Sequence, residues 1–202
     1  TRQLWQLQYQ YPLPDREWEL YFLDQRMNDR GVKADIPFVR AAQQMDQAAK
    51  ADLLQKAKAI TGLSNPNSPV QLQNWLKTQG IQLPDLRRET VATAIPLVSN
   101  DVQRVLTIRQ ELSQTSTKKY QAILDSVSSD GYLRGMMQFY GAGRTGRWSA
   151  KRVQIQNLKR NSLDQIEKAR ELVLKKRGVT LELIYGSVSD VVSQLVRTAL
   201  IP

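Results

Sequence analysis

Hydrophobic residues recur along most of this chain at three- and four-residue spacing, a period that predicts amphipathic helices. After an extended lead-in ending Tyr11-Pro12-Leu13-Pro14, Asp15 suits the N-cap of a helix reaching about Arg30. Trp18, Tyr21, Phe22 and Met27 are available for burial on that helix, and Gly31 stops it. A second helix is predicted from Pro37 behind Asp35, with Phe38, Ala41, Ala42, Met45, Leu53, Ala57 and Ile60 on one face and Gly62 at its end. Ser68, Pro69 and Gln71 form a capping box that opens a short helix with Leu72, Trp75 and Leu76 facing inward. Gly80 to Asp85 reads as a turn and Glu89 to Val98 as a further short helix. Asp101 opens a long helix through Leu112 and onward to Leu124, with Val102, Val105, Leu106, Ile108 and Leu112 as its buried stripe.

Near Asp130 the pattern changes. Leu133 to Tyr140 and Arg152 to Leu158 read as two strands around the glycine loop Gly141 to Arg147. Helices then return: one behind a capping box at Ser162 and Gln165 and ending at Gly178, one from Thr180 to Tyr185, and one capped by Ser187 or Ser189 and running to Leu200. The expected fold is mainly α with a small β element, an α+β class, with a boundary near Asp130.

Composition narrows the chemistry. The 202 residues include no Cys and no His, which removes thiol and imidazole nucleophiles, imidazole bases, thiolate zinc sites and disulfides. No apolar run approaches the roughly 18–20 residues of a membrane helix, so no membrane partner is expected and a cytoplasmic location is. The formal charge is +10, and it is concentrated: residues 144–177 hold eleven Lys/Arg against three Asp/Glu. Such a block reads as the footprint of a polyanion, against the plainer reading of a solvated helix face.

Within that block Gly141, Gly143 and Gly146 spell GxGxxG. A dinucleotide loop needs a helix opening at the third glycine, whereas here Arg147-Trp148-Ser149 leads into a strand-like stretch. A tight turn carrying Arg144 and Arg147 at its tip fits better. Lys151 and Arg152 follow, then Gln154, Gln156 and Asn157, whose amides suit base edges beside arginine forks. Ser113 to Tyr120 supplies a second cluster, in which Thr115, Ser116, Thr117, Lys118 and Lys119 suit sequence-blind contact with phosphates. The alternative is an edge strand whose polar residues simply face water for the first cluster and an exposed helix turn for the second. The carboxylate groupings (Glu17 with Glu19; Asp164 with Glu167 and Glu171) lie at helical spacings that favour ion pairs over metal ligation, and none forms a credible active site.

Thr145-Gly146-Arg147-Trp148-Ser149 followed by Gln154-Ile155-Gln156-Asn157-Leu158 resembles the family A (polymerase I-like) DNA polymerases of the bacteriophage and prophage branch. In that family a TGR-x-S segment precedes a QN-(L/I)-P segment at the start of the palm. Leu23 to Val32, Asn65 to Leu72 and Thr115 to Tyr120 are similar to further family segments in the same order. The resemblance implies a lead-in and first helix over 1–36, a helical thumb over 37–130 and the start of a palm over 131–202. It also implies that Arg147 reaches the minor groove at the primer terminus, with Gln156 and Asn157 close by, and that the Thr115–Lys119 segment holds the primer backbone. An arginine in that groove checks pair geometry without reading sequence, because N3 and O2 acceptors recur in every pair.

Lys159 stands where the family has proline. The family's metal-binding carboxylates and nucleotide-binding helix have no counterpart in the chain, so it is expected to be inert alone. Mg2+ and dNTP are expected only for the complete polymerase, which would carry out template-directed nucleotidyl transfer on primer–template DNA. The rival expectation is a stand-alone, non-enzymatic basic helical DNA-binding protein, and oligomeric state is left open.

Overall fold

The computed structural model describes residues 3, 4, 6 and 11–201, so most of the stretch before Tyr11 lies outside the described residues. Helix α1 spans Asp15–Arg30, strand β1 Val32–Ala34 and helix α2 Ile36–Thr61. Then come α3 (Pro69–Thr78), α4 (Arg88–Ala94), α5 (Asn100–Leu112) and α6 (Lys118–Leu124). Strands β2 (Tyr132–Leu133), β3 (Met137–Ala142) and β4 (Arg147–Ala150) follow. Helices α7 (Ile166–Leu174), α8 (Gly178–Tyr185) and α9 (Val188–Leu195) lead to the short strand β5 (Leu200–Ile201). The fold is mostly helical with two small antiparallel sheets, one ordered β2-β1-β5 and the other the β3-β4 hairpin.

Local chemistry explains the sturdiest of these elements. The Asp35 carboxylate accepts from the Phe38 N–H at 3.0 Å, Pro37 occupies the first turn, and Gly62 takes the left-handed conformation that ends α2. Ser187 caps α9 by accepting from the Asp190 N–H at 3.2 Å. Two apolar clusters result. One gathers Phe38, Val39 and Met45 of α2 with Tyr120, Leu133, Val173, Leu181, Val192 and Leu195. The other gathers Leu72, Leu76, Val91, Val102, Val105 and Leu106 from α3 to α5. Arg170 reaches across the first cluster, stacking 4.2 Å over the Phe38 ring and bonding Asp35 at 2.6 Å.

Several sequence expectations are corrected. Asp15 is the first residue of α1 rather than its cap, which is Pro14. Trp18, Tyr21 and Phe22 stay exposed, with Tyr21 meeting Phe139 of the hairpin edge-to-face, and the buried residue of α1 is Asp24, which takes donors from Trp148 and Asn28. The box at Ser68 does not close: Gln71 Oε1 instead accepts from Ser64 Oγ and the Asn65 N–H. The long helix from residue 101 breaks after Leu112, where the Ser113 hydroxyl donates to the Gln110 carbonyl and α6 starts afresh at Lys118. The expected strand 133–140 divides at Gly135, whose φ is +62°. The expected strand 152–158 is a turn and a 3-10 helix (Ile155–Asn157), and the partner strand of the hairpin is 147–150. Ser162 does not cap α7; its N–H and hydroxyl both donate to Gln194 Oε1. The helix behind Ser162 ends at Leu174, α8 opens at Gly178 behind Arg177 rather than at Thr180, and the last helix gives way to a 3-10 turn after Leu195.

Candidate nucleic-acid interface

The hairpin carries the first group of basic residues. Met137 pairs with Ala150, Gln138 with Ser149 and Ala142 with Arg147, with an irregularity between Gln138 and Ala142. The turn 143–146 closes at Gly146, whose φ of +66° an L side chain rarely adopts. Gly141 is needed for a different reason: a Cβ there would lie 2.0 Å from Ser149 Oγ on the facing strand. Arg144 projects from the exposed turn, whereas Arg147, expected at the tip as well, stands at the exposed first position of β4 because the strand pairing with Ala142 already begins there.

The hairpin is fixed to α1 by a network that the sequence analysis missed. Trp148 Nε1 donates to Asp24 Oδ1 at 2.7 Å, and Asn28 Nδ2 donates to Asp24 Oδ2 at 3.1 Å. Asn28 also brackets Met137, accepting from its N–H at 2.8 Å and donating to its carbonyl at 3.0 Å. A carboxylate and an amide at i and i+4 on a helix were the available signal, masked by the expectation of an aromatic buried face.

Beyond the hairpin, Lys151 and Arg152 are exposed, and Arg152 adopts φ +56°. Gln156 and Asn157 sit in the 3-10 turn rather than on the strand expected over 152–158. The Gln156 amide folds back on Ala150, accepting from its N–H at 3.3 Å and donating to its carbonyl at 3.5 Å. Asn157 remains exposed.

The second cluster lies at the start of α6. Thr115 and Lys118 are exposed, and Ser116 and Lys119 half-buried. Thr117 turns inward: it is buried, and its hydroxyl accepts from Lys50 Nζ at 2.7 Å. Lys50 also pairs with Asp46 at 2.7 Å, so Thr117 ties α6 to α2. Tertiary structure joins the two clusters. A cleft of about 110 Å³ is lined by Thr115, Ser116 and Lys119 on one side and by Asn157, Leu158 and Lys159 on the other. Lys119 Nζ donates to Gln154 Oε1 across it at 3.3 Å.

Charge sharpens the contrast between these cations and their neighbours. Among the described residues, Arg144, Arg147, Lys151, Arg152, Lys118 and Lys119 form no ion pair, whereas Lys159 pairs with Asp190 at 2.8 Å and Lys175 with Glu171. Burial pushes the Asp190 carboxyl up, but the Lys159 ammonium and the Gln194 amide outweigh it and hold the group below its ordinary value. Also among the described residues, no group of three acidic side chains lies close enough to hold a metal ion. The buried carboxylates have other partners, Asp24 with Trp148 and Asp46 with Lys50, so this donor set does not fit an Mg2+ pair. A cavity of about 430 Å³ lies elsewhere, between α2, α8 and the start of α9, with Met45, Leu53 and Val188 in its walls.

No family model matches the chain. The DNA polymerase of Bacillus phage SP02 is 43% identical to it over 189 residues, covering 93% of this chain and 29% of that protein. Among solved structures, the POL domain of Pol1 from M. smegmatis, in complex with DNA primer-template and dNTP, superposes with a TM-score of 0.55 at 19% identity. That match covers 70% of this chain and 26% of the other, and it speaks for the fold. The chain thus spans under a third of the length of its phage relative, while that similarity covers nearly all of this chain.

Proposed function

We propose that this chain is the duplex-gripping part of a template-directed DNA polymerase, comprising the thumb over 37–130 and the beginning of the palm over 131–202. The observation that carries the reading is the meeting of the hydroxyl-lysine segment (Thr115, Ser116, Lys119) with Asn157 in one cleft, on a chain whose hairpin, following segment and α6 start carry cations with no carboxylate partner among the described residues. A phosphate backbone supplies the charge those cations lack, and short hydroxyls complete sequence-blind contacts to its oxygens. Arg147, on the exposed edge of an anchored hairpin, takes the minor-groove role, where its fork reads acceptors common to every pair. Gln156 supports that role indirectly by bonding Ala150 at the end of β4, and Asn157 is free to meet the duplex. Thr117 acts from behind by fixing α6 to α2. Nucleotidyl transfer itself, with its Mg2+ and dNTP, belongs to the complete polymerase in the cytoplasm of a bacterial or phage-infected cell.

The test is fluorescence anisotropy of a labelled primer–template and of a long unbroken duplex, each titrated with the chain and with its Arg147→Ala variant. The variant is expected to lose roughly tenfold in affinity for the primer–template end and clearly less on the unbroken duplex, since one good arginine–base contact contributes about 1–3 kcal/mol. Equal losses on both substrates would remove the minor-groove role and leave a general phosphate contact.

A further inference from the structure

Asp24 is out of place by its environment. It is 3% exposed on a helix whose other residues are half-buried or exposed, and its carboxylate has hydrogen-bond donors but no cation. A buried carboxylate without an ion-pair partner is costly, and an apolar residue would have packed α1 against the hairpin at lower cost.

What this carboxylate touches is specific. Oδ1 accepts from the Trp148 indole on β4 and Oδ2 from the Asn28 amide that brackets Met137 on β3, the two residues that locate the hairpin, while the neighbouring Gln25 amide adds a longer contact to Oδ2 at 3.4 Å. Asn28 cannot reverse its amide, because the Met137 N–H requires an oxygen and the Met137 carbonyl requires an NH2. Asp24 must therefore present acceptors to both neighbours, which an ionised carboxylate does and an amide does not. Trp148 is the residue next to Arg147, and successive strand residues face opposite ways. Locking the indole against α1 sets the face on which Arg147 stands.

Resting on the Arg147 reading above, we propose that Asp24 is a positioning residue that aims the Arg147 guanidinium at the duplex by holding Trp148 and β3 in register. It touches no DNA itself. Its effect on binding must then pass through Arg147, and that dependence separates positioning from general stabilisation.

The experiment is a double-mutant cycle on primer–template affinity with Asp24→Asn, Arg147→Ala and both together, at a temperature where each variant's circular dichroism matches the parent. Asp24→Asn places an NH2 against an Asn28 or Trp148 donor. It also raises the net charge by one, which by itself favours DNA. A loss of roughly 3- to 10-fold is expected for Asp24→Asn despite that charge, with no further loss in the Arg147→Ala background. Trp148→Phe, which keeps the charge and a ring but deletes the indole N–H, should reproduce the same pattern. Independent, multiplying losses would overturn the proposal and leave Asp24 a structural residue. An Arg147→Ala variant that binds as tightly as the parent would overturn the Arg147 reading itself, and the positioning role with it.

Discussion

Gly146 shows how a single residue sets the geometry of the proposed interface. Its φ of +66° closes the turn between β3 and β4, and a Cβ there would sit 2.7 Å from the Tyr140 ring. The ring is partly exposed and can swing aside, so the lasting penalty of a side chain is the left-handed backbone. Gly146→Ala should therefore lower stability by about 1 kcal/mol in urea denaturation. An unchanged midpoint would mean that the turn can close without the positive φ. Tyr120 illustrates the opposite constraint: burial pushes its phenol well above the ordinary value, and its hydroxyl donates to the Val192 carbonyl at 2.7 Å in the middle of the first core.

Among elements, the join between α2 and α6 matters most for the hydroxyl-lysine segment. Lys50 on α2 holds Asp46 on its own helix and Thr117 at the head of α6, and Asp46 is nearly buried. Removing the ammonium leaves a buried carboxylate uncompensated, a change that commonly costs about 3 kcal/mol. Lys50→Ala should shift thermal unfolding accordingly and loosen the start of α6, read as faster amide hydrogen exchange at Lys118 to Gln121. A shift of less than about 1 kcal/mol would show that water replaces the ammonium at little cost. The hairpin is anchored by the same logic at the other end of the interface, through hydrogen bonds to α1 rather than an ion pair.

At the scale of the whole molecule, charge decides the outcome. The chain has 29 basic and 19 acidic residues, and six of the cations that form no ion pair among the described residues lie on the hairpin, on the segment that follows it and at the start of α6. If those six neutralise phosphates, affinity should fall about a thousandfold between roughly 50 and 200 mM salt, because each contact releases condensed counterions. Replacing Lys118 and Lys119 together by Ala should weaken binding on every sequence and reduce the slope of log affinity against log salt by about 2. An unchanged slope would place both lysines in solvent.

The sequence by itself determined the helical class, the course of α2 with its Asp35 cap and Gly62 stop, the glycine turn with Arg144, and the resemblance that its phage relative bears out. These depend on local periodicity, on caps and on turn chemistry, whose causes lie within a few residues of their effects. Tertiary structure decided what depends on partners far along the chain. Asp24 is buried because Trp148 and Asn28 give its carboxylate donors, while Trp18 and Phe22, which among the described residues pack on each other and on Tyr21, stay exposed. Thr117 faces Lys50 rather than solvent, and residues 152–158 leave the sheet because Gln156 folds back on Ala150. The cleft that joins Lys119 to Asn157 exists only once α6 and the 3-10 turn pack side by side. Hydrophobic spacing fixes which elements form, but a polar side chain's place is set by whichever donor or acceptor the folded chain brings to it.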